Sequence, residues 1–140
     1  MELREEFVTL DIAIALKEIG FDEPCLAFFD GQGTLCLGNK PEYLISNEKA
    51  NYIFGKDKSV VVLAPLLQQV FRWFRNEQKI FGEVFIDDDG TFGSYISRLV
   101  EGGGISMSPI KRQFLDYEYA ETRCIIDMIK IIKEQKENKL

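Results

Sequence analysis

The sequence predicts a two-layer α+β domain in which three helices lie mostly on one face of a mainly antiparallel sheet of about five to six strands. Three observations carry this prediction. Two pairs of apolar runs are each divided by a short glycine-containing turn, as in hairpins. A β-branched run, "SVVVLAP", stops at Pro65. Three stretches repeat their apolar residues at helical spacing. Hairpins pair antiparallel strands, and three amphipathic helices suffice to cover one face of the resulting sheet.

In chain order, "FVTLDIAIALKEIGF" opens on Thr9 as a helix cap, repeats Ile12, Ala15, Leu16 and Ile19, and ends at Gly20. "CLAFFDGQGTLCL" then gives strands near 25–29 and 34–37, joined through Asp30-Gly31-Gln32-Gly33. Residues 38–58 hold no sustained period and read as a long connection or partial strand. Beyond the strand ending at Pro65, "APLLQQVFRWFRNEQ" begins a helix in which proline suits the first turn. Leu66, Leu67, Val70, Phe71, Trp73 and Phe74 share its apolar side, and Gln68, Gln69, Arg72, Arg75 and Asn76 the polar one.

The aromatics are thereby sorted from the arginines. A surface that stacks nucleotides would need Trp73 and Phe74 outward beside Arg72 and Arg75, so this geometry favours core packing. "KIFGEVFIDDDGTFGSYISRLV" is a second hairpin turning through Asp88-Asp89-Gly90, with Gly82 and Gly93 as bulges or points of close approach. Three glycines, 102 to 104, lead into a short "ISM" strand. The last helix takes Asp116 as its cap and buries Tyr117, Ala120, Cys124, Ile125, Met128, Ile129 and Ile132. A start at Ser108-Pro109 also keeps register; Asp116 is preferred.

One domain, residues 1–140, is expected at this length. The 46% hydrophobic and 29% charged composition is that of a globular chain. A net charge of −6 opposes the phosphate backbone, so duplex nucleic acid is disfavoured as a partner. No apolar run reaches the ~20 residues that span a bilayer, and no export signal opens the chain, so no membrane partner is expected. Cys25, Cys36 and Cys124 form no CxxC pair and sit among apolar residues, as reduced thiols of the cytoplasm do.

The chain contains no histidine, which removes the commonest general base and metal ligand together with every Ser-His and Cys-His arrangement. No catalytic residue and no cofactor is assigned; no phosphate-cradling glycine motif opens a helix. The weak metal candidates are Asp87, Asp88 and Asp89, which could hold magnesium or calcium but lack the spaced pattern of a calcium loop. The carboxylate pairs Glu83 with Asp87 and Glu118 with Glu121 carry little weight without a cleft. Weak interaction candidates are Lys130, Lys133 and Lys136, followed by Lys139, a basic patch drifting around the last helix, and Phe85 and Tyr95 on the outer sheet face.

The stretches "FVTLDIAIALKEIGFDEPCLAFFD", "APLLQQVFRWFRNEQKI" and "YEYAETRCIIDMIKII" resemble a family of small uncharacterised proteins of Bacteroides-type bacteria and their phages, over about three-quarters of the chain. The resemblance implies the fold and carries no activity. Leu66-Leu67 depart from it, standing where such sequences often have Thr-Tyr or Thr-Trp. The leading functional expectation is therefore a non-catalytic cytoplasmic interaction or adaptor protein, phage-derived by its resemblance. A metal-dependent hydrolase or nuclease using the Asp87–Asp89 cluster is the first alternative. A module for single-stranded nucleic acid or regulation on the outer sheet face is the second. Homodimerisation through that face or an edge strand suits a sheet covered on one side only.

Overall fold

The computed structural model describes residues 3–38 and 62–138. The connection expected over residues 38–58 lies almost wholly outside them. The architecture is α+β, with its strands divided between two antiparallel sheets in place of one. Main-chain contacts gather into two compact units, Met1–Leu67 and Gln68–Leu140.

In the first unit a 3-10 turn, Leu3–Glu6, precedes α1, Leu10–Glu18. Thr9 is the cap residue by position, without a side-chain bond to the helix. Ile12, Ala13, Leu16 and Ile19 are buried, and Gly20 leaves the helix at φ +102°. Strands β1 (Ala27–Phe29), β2 (Leu35–Leu37) and β3 (Val62–Ala64) form a sheet in the order β2-β1-β3, with α1 against β3. All three residues of β1 and of β3 are buried. That continuous burial matches the unbroken apolar runs in the sequence.

The second unit begins within α2, Leu67–Trp73, and continues as a π-helical turn, Phe74–Gln78. The helix opens later than Pro65 predicts because Leu66 forms a β-bridge with Phe7 and the Pro65 carbonyl accepts from the Val8 N–H. The periodicity otherwise holds. Leu67, Val70, Phe71, Trp73 and Phe74 are buried, whereas Arg72, Arg75 and Asn76 are exposed. Trp73 is 3% exposed and packs edge-on against Phe74 at 5.0 Å, so the tryptophan is core and not a stacking platform.

Strands β4 (Ile80–Ile86), β5 (Phe92–Leu99), β6 (Ile105–Met107) and β7 (Lys111–Phe114) form the second sheet. β5 pairs β4 along one edge; along the other it pairs β6 and then β7. The strand β7 was not legible in "KRQF", whose three polar residues in a row show no alternation. It replaces the alternative early start of the last helix. That helix, α3, runs Tyr117–Asn138 behind Asp116, whose Oδ1 accepts from the Glu118 N–H at 2.8 Å and the Tyr119 N–H at 3.2 Å.

Helix α3 packs across β4 and β5. It buries Ala120, Cys124, Ile125, Met128, Ile129 and Ile132; Tyr117, expected on that face, is 40% exposed and meets Phe92 edge-on at 5.5 Å. The approach is closest at Gly82. A Cβ there would lie 2.8 Å from Cys124 Sγ and Met128 Sδ and 3.0 Å from the Phe71 ring. Only glycine fits without displacing the helix.

Two outcomes follow from this packing. Trp73→Ala should cost about 3–5 kcal/mol in urea unfolding, as large core truncations do; a variant that unfolds with the parent contradicts the core assignment. Asp116 is the second case. A side-chain bond with Glu118 and then the bond from the Tyr119 N–H lower its pKa. A lowered folded-state pKa gives stability that is present above the unfolded value of about 3.9 and is lost as pH falls below it. Asp116→Ala should therefore destabilise the protein at neutral pH and flatten its acid-unfolding curve; an unchanged acid limb contradicts the cap.

Candidate functional site

A strand alternates its side chains between the two faces of a sheet. With Gly82 turned to α3, register puts Ile80, Val84, Ser94 and Ile96 on the same inner face. Phe81, Glu83, Phe85, Tyr95 and Ser97 must then occupy the outer one, where register adds Leu99, Ile105 and Met107. The exposures agree. Phe81 is 37% exposed, Met107 58%, Leu99 59% and Ile105 68%. These side chains come from three adjacent strands and form one apolar and aromatic row.

Phe85 and Tyr95 are half-buried toward the hairpin-turn end of the row, with ring centroids 6.1 Å apart. Phe85 lies down on the sheet because position 93 is glycine: a Cβ there would fall 2.4 Å from the ring and 2.7 Å from the Lys111 carbonyl. The Arg112 guanidinium sits 5.6 Å from the Phe85 centroid, a cation–π contact, and also pairs with Asp87. Tyr95 donates its hydroxyl to Glu83 at 2.9 Å, and that bond raises the tyrosine pKa. Arg112, Phe81 and Met107 were not singled out in the sequence, since only strand register reveals that they share this face.

The three aspartates do not converge. Asp87 pairs with Arg112, Asp89 accepts from the Thr91 N–H and hydroxyl, and Asp88 is exposed in the turn. The Thr91 bonds hold the Asp89 carboxyl below its ordinary pKa. Among the described residues no three His, Cys, Asp or Glu side chains are grouped so that they could hold a metal ion. The two carboxylate pairs are also separately engaged. Glu83 takes Tyr95, and Glu121, buried on α3, takes the Gln68 amide.

Lys130, Lys133 and Lys136 are exposed on α3, and Lys139 lies outside the described residues. Lys130 is set apart from the others, because it lines a groove between α3 and the β6–β7 edge. No helix among the described residues is long and apolar enough to cross a membrane. Compared with protein-family models, curated proteins and solved structures, the chain matches none.

Two of the three thiols are shielded by burial. Cys25 and Cys124 are buried, and burial pushes the Cys124 thiol up to about 12. Cys36 is half-buried, with its pKa raised by burial and then by Asp30. A thiol reagent at mildly alkaline pH should modify Cys36 alone in the native protein and all three cysteines after unfolding; fast native labelling in Cys36→Ser contradicts this environment.

Proposed function

We propose that this chain is a small non-catalytic interaction protein that docks a segment of another protein on the outer face of its second sheet. The supporting observation is the row of Phe81, Phe85, Tyr95, Leu99, Ile105 and Met107, left open opposite α3. Contiguous apolar surface of this kind marks interaction sites. The half-buried Phe85–Tyr95 pair in it is the type of residue that anchors interfaces.

The charges bordering the row indicate the partner's chemistry. Glu83, Asp87, Asp88 and Asp89 stand along β4 and its turn, with Arg112 as their nearby counterion. A basic, apolar segment complements this surface. The same acids oppose phosphate, and Arg112 already occupies Phe85, so single-stranded nucleic acid is the weaker reading of this face. Metal-dependent hydrolysis draws no support from three aspartates held apart. Location in the reducing cytoplasm is part of the proposal, on the free thiols.

A labelled peptide alternating Lys and Leu is the direct probe. Its fluorescence anisotropy should rise saturably with the full chain, and binding should weaken about tenfold in Tyr95→Ser with Phe81→Ser, as loss of an anchor implies. Binding that ignores both substitutions removes the outer face as the docking site.

A further inference from the structure

Strand β6 ends the sheet on the side opposite β4. The Ser108 N–H donates to the Ile96 carbonyl at 2.8 Å and the Val100 N–H to the Gly104 carbonyl at 3.2 Å. Bonded and non-bonded pairs alternate in an antiparallel ladder. Leu99 with Ile105 and Ser97 with Met107 are therefore non-bonded pairs, and the N–H and C=O groups of Ile105 and Met107 point away from β5. Among the described residues nothing takes up these four backbone groups. Proteins usually protect such an edge with charge or proline. Here Pro109, Lys111 and Arg112 protect the continuation into β7 and leave "ISM" open.

Beside this edge lies the groove that α3 leaves uncovered. Two adjoining hollows of about 280 and 230 Å³ share Ile96, Ser108, Ile131 and Glu134. The floor is apolar, from Ile96 and Ile131. On the rim, Lys111 is paired with Asp127 at 2.8 Å, whereas Arg98, Lys130 and Glu134 make no ion pair among the described residues, so that three bases line the groove against two acids. The groove is thus locally cationic on a chain of net charge −6.

We propose that β6 accepts an extended peptide of alternating acidic and aliphatic residues as an added strand. The outward backbone groups of Ile105 and Met107 bond its main chain. Its groove-side acids pair with Arg98 and Lys130, and its aliphatic side chains, on the opposite face, extend the exposed Ile105 and Met107. Strand addition of this type draws affinity from the main chain and specificity from pockets for alternate side chains. A second copy of this chain answers the site less well. Pairing β6 with its own copy about a two-fold axis brings Ser106 to the groove, too short and uncharged to meet the two cations. This surface is separate from the Phe85–Tyr95 pair of the outer face, and the two sites call for probes of opposite charge.

The test uses the full chain with a labelled peptide of about eight residues, near a typical strand length, in which Glu and Val alternate. The matched Lys–Val peptide serves as control. The Glu–Val peptide should bind saturably and more weakly as salt is raised. Arg98→Glu with Lys130→Glu should weaken it by about tenfold or more and shift preference to the Lys–Val peptide. Met107→Pro, which removes one outward N–H, should also weaken it. The charge reversals, at side chains on the groove rim, keep the test decisive where the proline variant fails to fold. Tyr95→Ser should leave Glu–Val binding unchanged while weakening the basic probe, which separates failure here from failure of the outer-face reading. Glu–Val binding that is absent, or unmoved by the charge reversals, overturns the proposal. So does a dimer in light scattering that Met107→Pro dissolves, since β6 is then taken by a second copy.

Discussion

The seat of α3 on β4 at Gly82 is the contact on which the second unit depends. Helices pack on sheets through side chains, and here one is missing, so Cys124, Met128 and Phe71 close on backbone. This contact selects one face of β4 as inner. Because side chains alternate along a strand, a single seated residue then fixes every other position in β4 and, through register, in β5 and β6. Phe81, Phe85 and Tyr95 are outward because Gly82 is inward. The proposed function rests on that parity.

Turn chemistry holds the register in place. Asp30–Thr34, Asp87–Thr91 and Val100–Gly104 close their loops with the same pair of bonds: the first N–H to the last carbonyl, and the fourth N–H back to the first carbonyl. The fourth residue is a glycine at positive φ each time, Gly33, Gly90 and Gly103. Loops of this length with a left-handed fourth residue fix strand pairing without slippage. In the first two an aspartate of the loop, Asp30 or Asp89, also accepts from the turn backbone, and the Thr34 and Gln32 N–H groups lower the Asp30 pKa.

Much of this was legible because local rules and tertiary packing agree. Helical period separated Trp73 and Phe74 from Arg72 and Arg75, the glycine turns located both hairpins, and Asp116 marked the start of the last helix. Three features were not legible. Strand β7 has no apolar alternation, and its pairing comes from β5 and a bulge at which Gln113 takes φ +67°. The turn Phe74–Gln78 widens to a π-helix and ends on Lys79 at φ +56°, where no glycine signals a stop. The split into two sheets is a matter of pairing, which composition does not encode. For the candidate surface, Phe85 and Tyr95 could be named from alternation within one hairpin. Met107 and Arg112 could not, because they join the face across strands whose register is set by the triple-glycine loop and the β7 bulge. The lysines of α3 are spaced alike in sequence, yet only Lys130 borders the groove.

The parity of β5 can be measured residue by residue. With the native cysteines replaced by serine, single cysteines at positions 94, 95, 96 and 97 are exposed to a thiol reagent under native conditions. Cysteines replacing Tyr95 and Ser97 should react rapidly, and those replacing Ser94 and Ile96 should be protected. Uniform reactivity along the strand, or protection at 95 and 97 in place of 94 and 96, would contradict the account.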